Sequence, residues 1–384
     1  MIAIPAYRIK SHFMNILVLN WQDIRNPLAG GAETHLHEIF SRVAAKGHEV
    51  TLYCSSFDNA PRHEEINGIQ VIREGARNTF NFHVPRRYWS DFRHRQFDIV
   101  IDDINKIPFF TPLYVREPLL AIAHHFFGRS IFTEAGTVAG SYVFASERLM
   151  FKAYRNTPFA VVSDSTKDEL LQHGFPTHNL TVIPNCINHE RFPFAAQPKP
   201  EHPVIAYFGR LKRYKSVHHL LQAFALLCND FPHAELRIMG KGDAEQELRN
   251  LAAELDIERN VRFYGFIREE EKADLLGTAH CVVNPSMKEG WGIINIEANA
   301  CGTPVVAADV PGLRDAVRHG VSGLLYEYGD IPALADALRK LLTDTALREQ
   351  LSAGAIGFAR QFNWDDSALK IIKRAEELIA THRR

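Results

Sequence analysis

The chain has 384 residues, with 44 Lys and Arg against 45 Asp and Glu, and its formal net charge is −1. This balance supplies no global positive field, which argues against a nucleic-acid-binding protein. Hydrophobic residues make up 46% of the chain and charged residues 23%, as in ordinary globular proteins. No apolar run approaches the roughly 20 residues that a membrane-spanning helix needs.

The five cysteines are scattered without a C-x-x-C pair. We therefore expect reduced thiols in a cytoplasmic protein, with neither a disulfide framework nor a zinc site. The start of the chain, "MIAIPAYRIKSHF", lacks the apolar length of a secretory signal and is interpreted as an extension before the first regular element. The chain is too long for one ordinary core, which favours two domains.

The N-terminal half alternates between predicted strands and helices. The run "NILVLNW" (15–21) is nearly all apolar, as in a strand buried on both faces of a sheet. A glycine-bearing loop follows, then the helical pattern "ETHLHEIFSRVAAKG" and the strand "HEVTLYCS". This order predicts a right-handed crossover unit of a parallel sheet. Further buried strands are predicted at 97–103, 118–125, 159–165 and 180–185.

A proline-rich, polar stretch, "INHERFPFAAQPKPEHP" (187–203), is the strongest linker signal in the chain. Beyond it the alternation restarts with "VIAYFGR" and continues to "SGLLYEYG" and further helices. The pattern predicts an α/β protein with two Rossmann-like domains whose parallel sheets face each other across a cleft. The predicted boundaries are 14–193 for the first domain, 194–202 for the linker, 203–364 for the second domain and 365–384 for a C-terminal helix that crosses back to the first domain.

The stretch "MKEGWGIINIEANACGTPVV" (287–306) places Glu289 and Glu297 on either side of a glycine-rich bend. A predicted strand precedes the bend and a predicted helix follows it. Gly290 and Gly292 allow a ligand to approach the backbone closely, and the first helix amides suit a phosphate. Carboxylates bind hydroxyl groups, so a sugar on one side of a phosphate chain and a ribose on the other would explain both acids. The alternative is two solvated acids beside a structural turn.

A second segment, "YFGRLKRYKSVHHLL" (207–221), ends a predicted strand at Gly209 and places Arg210 and Lys215 before the next helix. Two cations at a strand end can clamp a diphosphate, with about 1.5–3 kcal/mol from each charge-assisted contact. The alternative is a basic surface loop.

Two further segments are weaker. Gly30 and Gly31, in "NPLAGGAETHLHE", lie between the first strand and the first helix, where a double glycine is usually only a turn. His124 and His125, in "IAHHFFG", end another strand, where a histidine is often structural. The chain contains neither a G-x-G-x-x-G fingerprint nor a Walker A motif.

Together these segments resemble the family 4 retaining glycosyltransferases of the GT-B fold. The run "E-G-W-G-x-x-x-x-E-A-x-A-x-G-T-P-V-V" is similar to that family's E-x7-E signature, and "F-G-R-L-x-x-x-K" to its phosphate clamp. "G-G-A-E" and "V-P-G-L-R-D-A-V" are similar to its N-terminal glycine loop and a downstream segment. The resemblance covers most of residues 14–380 and is weaker across 55–115 and 126–155.

The resemblance implies a role for each matching residue. Glu289 would contact hydroxyls of the transferred sugar and Glu297 the nucleotide ribose, while Arg210 and Lys215 would neutralise the diphosphate. His124, or else His125, would touch the sugar. The remaining implied donor contacts are Gly30, Gly31, Gly209, the main chain near Phe266, and the backbone of Gly290, Trp291, Gly292 and Ile293. Trp291 stands where the family often has Phe, a departure that would alter the fit of the sugar.

Family membership implies transfer from a UDP- or GDP-linked sugar to a saccharide or lipid-linked saccharide, with retention of anomeric configuration and without a protein nucleophile. The main catalytic task is then electrostatic stabilisation of the departing diphosphate, which this fold generally performs without metal. Asp102 and Asp103 resemble a metal-binding acid pair, but we interpret them as a strand-end feature. No cofactor beyond the nucleotide-sugar substrate is expected.

The alternatives are a catalytically silent nucleotide-sugar-binding protein and a nucleotide-sugar epimerase of related fold. A NAD-dependent oxidoreductase lacks its glycine fingerprint here, and a retaining glycosidase would need no phosphate clamp. The segment "VPRRYWSDFRHR" (84–95) mixes arginines with aromatic residues and would suit peripheral contact with an anionic membrane. A solvated helix is the competing interpretation of this segment.

Overall fold

The structure, a computed structural model, describes residues 13–105, 107–134 and 136–383. The N-terminal extension predicted from the sequence therefore lies almost entirely outside the described residues. Within them the chain forms fourteen strands and twelve α-helices. The strands are β1 (Asn15–Leu19), β2 (Glu49–Cys54), β3 (His63–Ile66), β4 (Ile69–Arg73), β5 (Ile99–Ile104), β6 (Leu119–Ala123), β7 (Phe159–Val161), β8 (Leu180–Val182), β9 (Val204–Phe208), β10 (Glu235–Met239), β11 (Val261–Gly265), β12 (Cys281–Asn284), β13 (Val305–Ala308) and β14 (Gly323–Tyr326).

The helices connect or follow these strands. They are α1 (Gly31–Ala45), α2 (Phe80–Ser90), α3 (Ile131–Glu134), α4 (Thr137–Ala153), α5 (Asp164–Gln172), α6 (Val217–Cys228), α7 (Glu245–Glu254), α8 (Glu269–Gly277), α9 (Ile293–Ala300), α10 (Ile331–Thr343), α11 (Thr345–Ala359) and α12 (Trp364–His382).

The strands form two sheets. One has eight strands in the order β3-β4-β2-β1-β5-β6-β7-β8, and the other has six in the order β11-β10-β9-β12-β13-β14. The recorded pairings are parallel except β3 with β4. The central strands β5, β9 and β12 carry almost continuous runs of buried residues, since helices cover both faces of such a sheet. The predicted α/β class with two mostly parallel sheets is confirmed.

The sequence-based prediction contains neither β4 nor the antiparallel strand β3. Asn67 and Gly68 join it to β4, with φ angles of 51° and 81°. Two consecutive positive φ angles define the tight hairpin turn that Asn-Gly favours. The dipeptide was therefore available as a hairpin signal in "EEINGIQVI", within a region where the family resemblance is weak.

Contacts between residues divide the chain into two compact units. The first comprises the described residues up to Ile122, together with Asn156–Ala160 and the chain from Ala368 onward. The second comprises Ala123–Arg155 and Val161–Ser367. The domain boundaries predicted from the sequence stay a prediction.

Candidate functional site

Three neighbouring strands of the six-stranded sheet end in glycine. Gly209 follows β9, Gly240 follows β10, and Gly265 closes β11. A Cβ atom on Gly240 would lie only 1.9 Å from the carbonyl oxygen of Gly209, so the two backbones touch directly. Gly242 approaches the Leu211 carbonyl oxygen in the same way, at 2.0 Å. The backbone of "GKG" (240–242) therefore packs directly against the loop that carries Arg210. This motif was not among the site segments predicted from the sequence.

The structure brings Lys215 and Glu289 together. Lys215 ends a short helical turn before α6, and Glu289 lies in the loop between β12 and α9. The Lys215 ammonium pairs with the Glu289 carboxylate, and only 14% and 16% of the two side chains is exposed. Two loops identified separately in the sequence therefore meet through an ion pair inside one compact unit.

A buried polar network supports the Glu289 carboxylate. The Ser286 hydroxyl lies 2.9 Å from Glu289 Oε1 and 2.8 Å from Asn284 Oδ1. Asn284 Nδ2 in turn donates to Asn295 Oδ1 at 3.1 Å. These three neighbours fix the orientation of Glu289. None of these three residues was predicted from the sequence, although "NPS" directly after an apolar strand and a lone Asn on an apolar helix are visible signals.

The Arg210 guanidinium has a hydroxyl partner, and none of the carboxylates in the described ranges pairs with it. Its side chain is exposed, and its guanidinium donates to the Tyr214 hydroxyl at 3.1 Å. Nearby, Lys212 pairs with Asp243 and Arg213 pairs with Glu247. Among the residues that the structure describes, no acid forms an ion pair with Arg210. This guanidinium is thus available to an anionic ligand.

The glycine-rich loop packs against the strand end that carries the two histidines. A Cβ atom on Gly290 would lie 2.9 Å from the His124 carbonyl oxygen and 3.3 Å from His125 Nδ1. Gly312, at φ 83°, approaches the carbonyl oxygen of Glu289 more closely still, with its Cβ position 2.2 Å away. His124, Glu289 and the loop are therefore neighbours within the second unit.

Helix α9 begins directly after this loop. Gly292, its N-cap residue, has φ 80°, and Ile293 is the first helical residue. The first amides of a helix have no acceptor within the helix and carry partial positive charge. The N-terminus of α9 therefore adds backbone donors beside Glu289.

Glu297 lies on α9, one turn after its start, and is buried beside Lys272 of α8. The Lys272 ammonium lies 2.6 Å from the Glu297 carboxylate and 4.8 Å from the centre of the Phe208 ring. Burial raises the pKa of Glu297, and the Lys272 charge offsets part of that effect. Lys272, the ion-pair partner of Glu297, was not predicted from the sequence, because "REEEK" is typical of a solvated helix start.

The loop after β6 is held by another buried acid. The Glu147 carboxylate accepts the backbone N–H groups of Phe127 and Gly128, each at 3.1 Å. Burial raises the pKa of Glu147 to about 7. The Thr166 hydroxyl donates to the His124 carbonyl oxygen at 3.3 Å. These contacts position the histidine-bearing strand end.

Two other predicted donor contacts lie in the second unit. The Trp291 ring is buried and packs edge-on against Phe362, with 5.2 Å between ring centres. Its side chain therefore fills the core of this unit, and only its backbone is left for the loop. Phe266 follows β11 and is 74% exposed.

Gly30 and Gly31 belong to the first unit. Both are exposed at the start of α1, and a Cβ atom on Gly31 would meet nothing within 4 Å. The Glu33 carboxylate accepts the backbone N–H of Gly30 at 2.7 Å and the Asn105 side-chain amide at 3.1 Å. Glu33 thus holds the glycine turn in place.

The acid pair Asp102 and Asp103 is fully buried on β5, and Thr111 donates a hydrogen bond to Asp102. In the ranges that the structure describes, no group of three or more His, Cys, Asp or Glu side chains could hold a metal ion.

The segment 84–95 is only partly available to a membrane surface. Helix α2 ends at Ser90, and Tyr88 is buried. Arg87 and Arg95 both pair with Asp91. Arg86, Trp89 and Arg93 are exposed. None of the described helices is both long enough and apolar enough to span a lipid bilayer.

Two family models match the chain. The model for Glycosyltransferase Family 4 matches residues 29–191, and the model for Glycosyl transferases group 1 matches residues 188–357. An uncharacterized glycosyltransferase of Methanocaldococcus jannaschii is 26% identical over 381 residues, covering 94% of this chain and 97% of that protein. The glycogen synthase of Mycobacterium tuberculosis is 27% identical over 386 residues, 92% of each chain.

Solved structures share the fold. Sucrose-phosphate synthase from Thermosynechococcus elongatus matches with a TM-score of 0.78 at 21% identity, covering 96% of this chain and all of that one. The Anabaena protein HepE, solved with UDP and glucose, matches with a TM-score of 0.72 at 20% identity, covering 94% of this chain and 99% of that one. The chain has the GT-B fold and belongs to glycosyltransferase family 4. It is a glycosyltransferase.

Proposed function

We propose that this glycosyltransferase moves a sugar from a UDP- or GDP-linked donor to a saccharide or lipid-linked saccharide, with retention of anomeric configuration. The observation that carries the proposal is the meeting of Lys215, Glu289 and the N-terminus of α9 at the carboxyl ends of β9 and β12. Ligands of open α/β sheets bind at this edge. One site thus offers a cation, a carboxylate and backbone amides.

The diphosphate is assigned to Arg210, Lys215 and the amides from Gly290 to Ile293. Arg210 supports this assignment because its guanidinium is exposed and no carboxylate pairs with it in the part of the chain that the structure describes. The glycines remove the side chains that would keep a phosphate from the backbone. As the anomeric bond breaks, negative charge grows on the diphosphate, and fixed donors at this position lower the barrier.

The sugars are assigned to the two acids. Glu289, held by Ser286 and Lys215, would accept hydrogen bonds from hydroxyls of the transferred sugar, with His124 on the other side of the loop. Glu297, one turn further along α9, would accept from the ribose. The main chain near Phe266, with Gly209, would meet the base.

Retention follows if the acceptor attacks the face from which the diphosphate leaves. The departing diphosphate then takes the acceptor hydroxyl proton, and the proposal needs no protein nucleophile. The positive charges of Arg210 and Lys215 can do the work that a metal ion does elsewhere. We therefore propose that the enzyme transfers the sugar without a metal ion.

The ligands of a related structure support a nucleotide-diphosphate sugar as donor. HepE was solved with UDP and with UDP-glucose. The acceptor is assigned only as a class, since related proteins include a glycogen synthase and D-inositol 3-phosphate glycosyltransferases. We further propose that the enzyme works in the cytoplasm and touches anionic membrane through Arg86, Trp89 and Arg93, which are exposed.

The experiment is incubation with a panel of UDP- and GDP-sugars and saccharide acceptors, with nucleotide diphosphate release and the product anomer followed by NMR. Transfer with the donor's anomeric configuration supports the proposal. Binding without release would favour a silent nucleotide-sugar-binding protein, and a changed sugar on an intact nucleotide would favour an epimerase. An inverted product would contradict the assigned stereochemistry.

A further inference from the structure

A cavity in the first unit lies away from the strand ends that the proposed function uses. Its volume is about 490 Å³, within the range of small-molecule sites. Asp98, directly before β5, and Pro118, directly before β6, line it, together with Ile379 and His382 at the end of α12. It therefore lies at the amino ends of these strands, whereas donor and acceptor loops follow carboxyl ends.

The charged lining of this cavity is mainly basic. The lining includes three arginines (Arg93, Arg116 and Arg383) and two histidines (His94 and His382). It also includes two carboxylates, Asp98 and Glu117. Asp98 pairs with Arg383 at 2.9 Å. Glu117 accepts the Tyr88 hydroxyl at 2.6 Å and the backbone N–H of Arg116 at 3.2 Å. Both acids are therefore already engaged.

Arg93 and Arg116 hold guanidinium groups over one indole. Their central carbon atoms lie 5.0 Å and 5.9 Å from the centre of the Trp89 ring. Arg93 Nε also lies 2.9 Å from His94 Nε2. In the described ranges of the chain neither guanidinium forms an ion pair with an acid. Both arginines line the same cavity, so an anion bound there would offset two positive charges at once.

We propose that this cavity binds a phosphate group through Arg93 and Arg116, whose guanidinium groups both lie against the Trp89 ring. Guanidinium groups match phosphate oxygens with paired hydrogen bonds, which favours phosphate over a simple halide. The phosphate belongs either to a small soluble ligand or to the headgroup of an anionic lipid. This binding site is separate from the donor site and from the transfer reaction. In its lipid form it rests on the membrane contact proposed above, because Trp89 and Arg93 belong to both.

Trp89 supplies the readout, because it is 41% exposed while Trp21, Trp291 and Trp364 are buried. Titration with inorganic phosphate should change tryptophan fluorescence in the wild type, and Trp89→Phe should remove the signal. Arg93→Gln and Arg116→Gln should each weaken phosphate binding about tenfold or more. Arg95→Gln is the matched control, since it removes the same charge from an arginine that pairs with Asp91.

A second arm separates the two sources of phosphate. Co-sedimentation uses phosphatidylcholine vesicles with and without phosphatidic acid. Binding that needs phosphatidic acid and Arg116 assigns a lipid headgroup, whereas a response to free phosphate alone assigns a soluble ligand. The proposal is overturned if Arg93→Gln and Arg116→Gln bind both probes as the wild type does. It is equally overturned if the wild type binds neither.

Discussion

Lys215 and Glu289 form an ion pair that joins the loop after β9 to the glycine-rich loop before α9. Both side chains are mostly buried, so solvent screens their attraction less than at an open surface. Ser286 holds the carboxylate from another side. The proposed phosphate cation and sugar acid are therefore positioned as one assembly before any donor binds.

Removal of the Arg210 guanidinium is expected to lower turnover by about 10²–10³-fold, by analogy with the loss of one oxyanion donor. The side chain is exposed, so Arg210→Ala should fold normally. The measurement is kcat for nucleotide diphosphate release. Arg213→Ala is the matched control, because Arg213 lies on the same loop but pairs with Glu247 at the surface. Wild-type turnover in Arg210→Ala would reject the clamp.

Gly290→Ala is expected to displace the loop that carries Glu289. The new Cβ atom would lie 2.9 Å from the His124 carbonyl oxygen, and a backbone oxygen cannot swing away as a side chain can. A displacement of about 1 Å can cost about 10²-fold in rate, so kcat/KM should fall on this scale.

The control for this substitution is Gly357→Ala in α11, where an added Cβ atom meets nothing within 4 Å. This variant should keep full activity and gain about 0.5–1 kcal/mol in free energy of unfolding. If Gly290→Ala keeps wild-type kcat/KM, the contact between the loop and the histidine strand end has no functional role.

Lys272→Met is expected to destabilise the fold by about 3 kcal/mol at neutral pH, because it leaves the buried Glu297 carboxylate without its partner. The pKa of Glu297 is already raised by burial, so the loss should shrink as the pH falls and the carboxyl takes a proton. Urea unfolding at several pH values measures this. The double variant Lys272→Met/Glu297→Gln should recover most of the stability, and an equal loss in both variants would contradict the explanation.

Glu147 is expected to make stability depend on pH. The pKa of this carboxyl is about 7 in the folded protein against 4.5 for the free side chain, so the folded state binds the proton more tightly. Its contribution is present below about pH 4.5 and is lost as the pH rises to about 7. The free energy of unfolding of the wild type, relative to Glu147→Gln, should therefore decrease between pH 5 and pH 8. A gap that stays constant or widens with pH would be inconsistent with a raised pKa.

Much of the fold was predictable because its signals are local. Runs of buried apolar residues such as β9 and β12 identify themselves as central strands, and Gly47, at φ 96°, ends the first helical pattern as expected. The hairpin of β3 and β4 was missed, although Asn67 and Gly68 carry its turn signal. A short edge strand in which three of the four residues are polar gives a weak apolar pattern, so only the turn could have revealed it.

The site was predictable only in part, because its supporting residues are distant in sequence. Arg210, Lys215 and Glu289 stand at strand ends in recognisable motifs. Lys272, by contrast, lies in an ordinary acidic helix start and reaches Glu297 only after α8 packs beside α9. Glu147 likewise lies on α4, and nothing near it in sequence indicates that it holds the backbone of Phe127 and Gly128.

The most direct test is calorimetric titration of UDP and GDP, with uridine and guanosine as the phosphate-free comparison, in the wild type and in Lys215→Met. The wild type should bind one nucleoside diphosphate at least about tenfold more tightly than its nucleoside. Lys215→Met should lose most of that preference, while Lys212→Met, which alters a surface pair on the same loop, should keep it. If Lys215→Met keeps the full preference, or if the diphosphate adds nothing to binding in the wild type, this site does not hold the diphosphate.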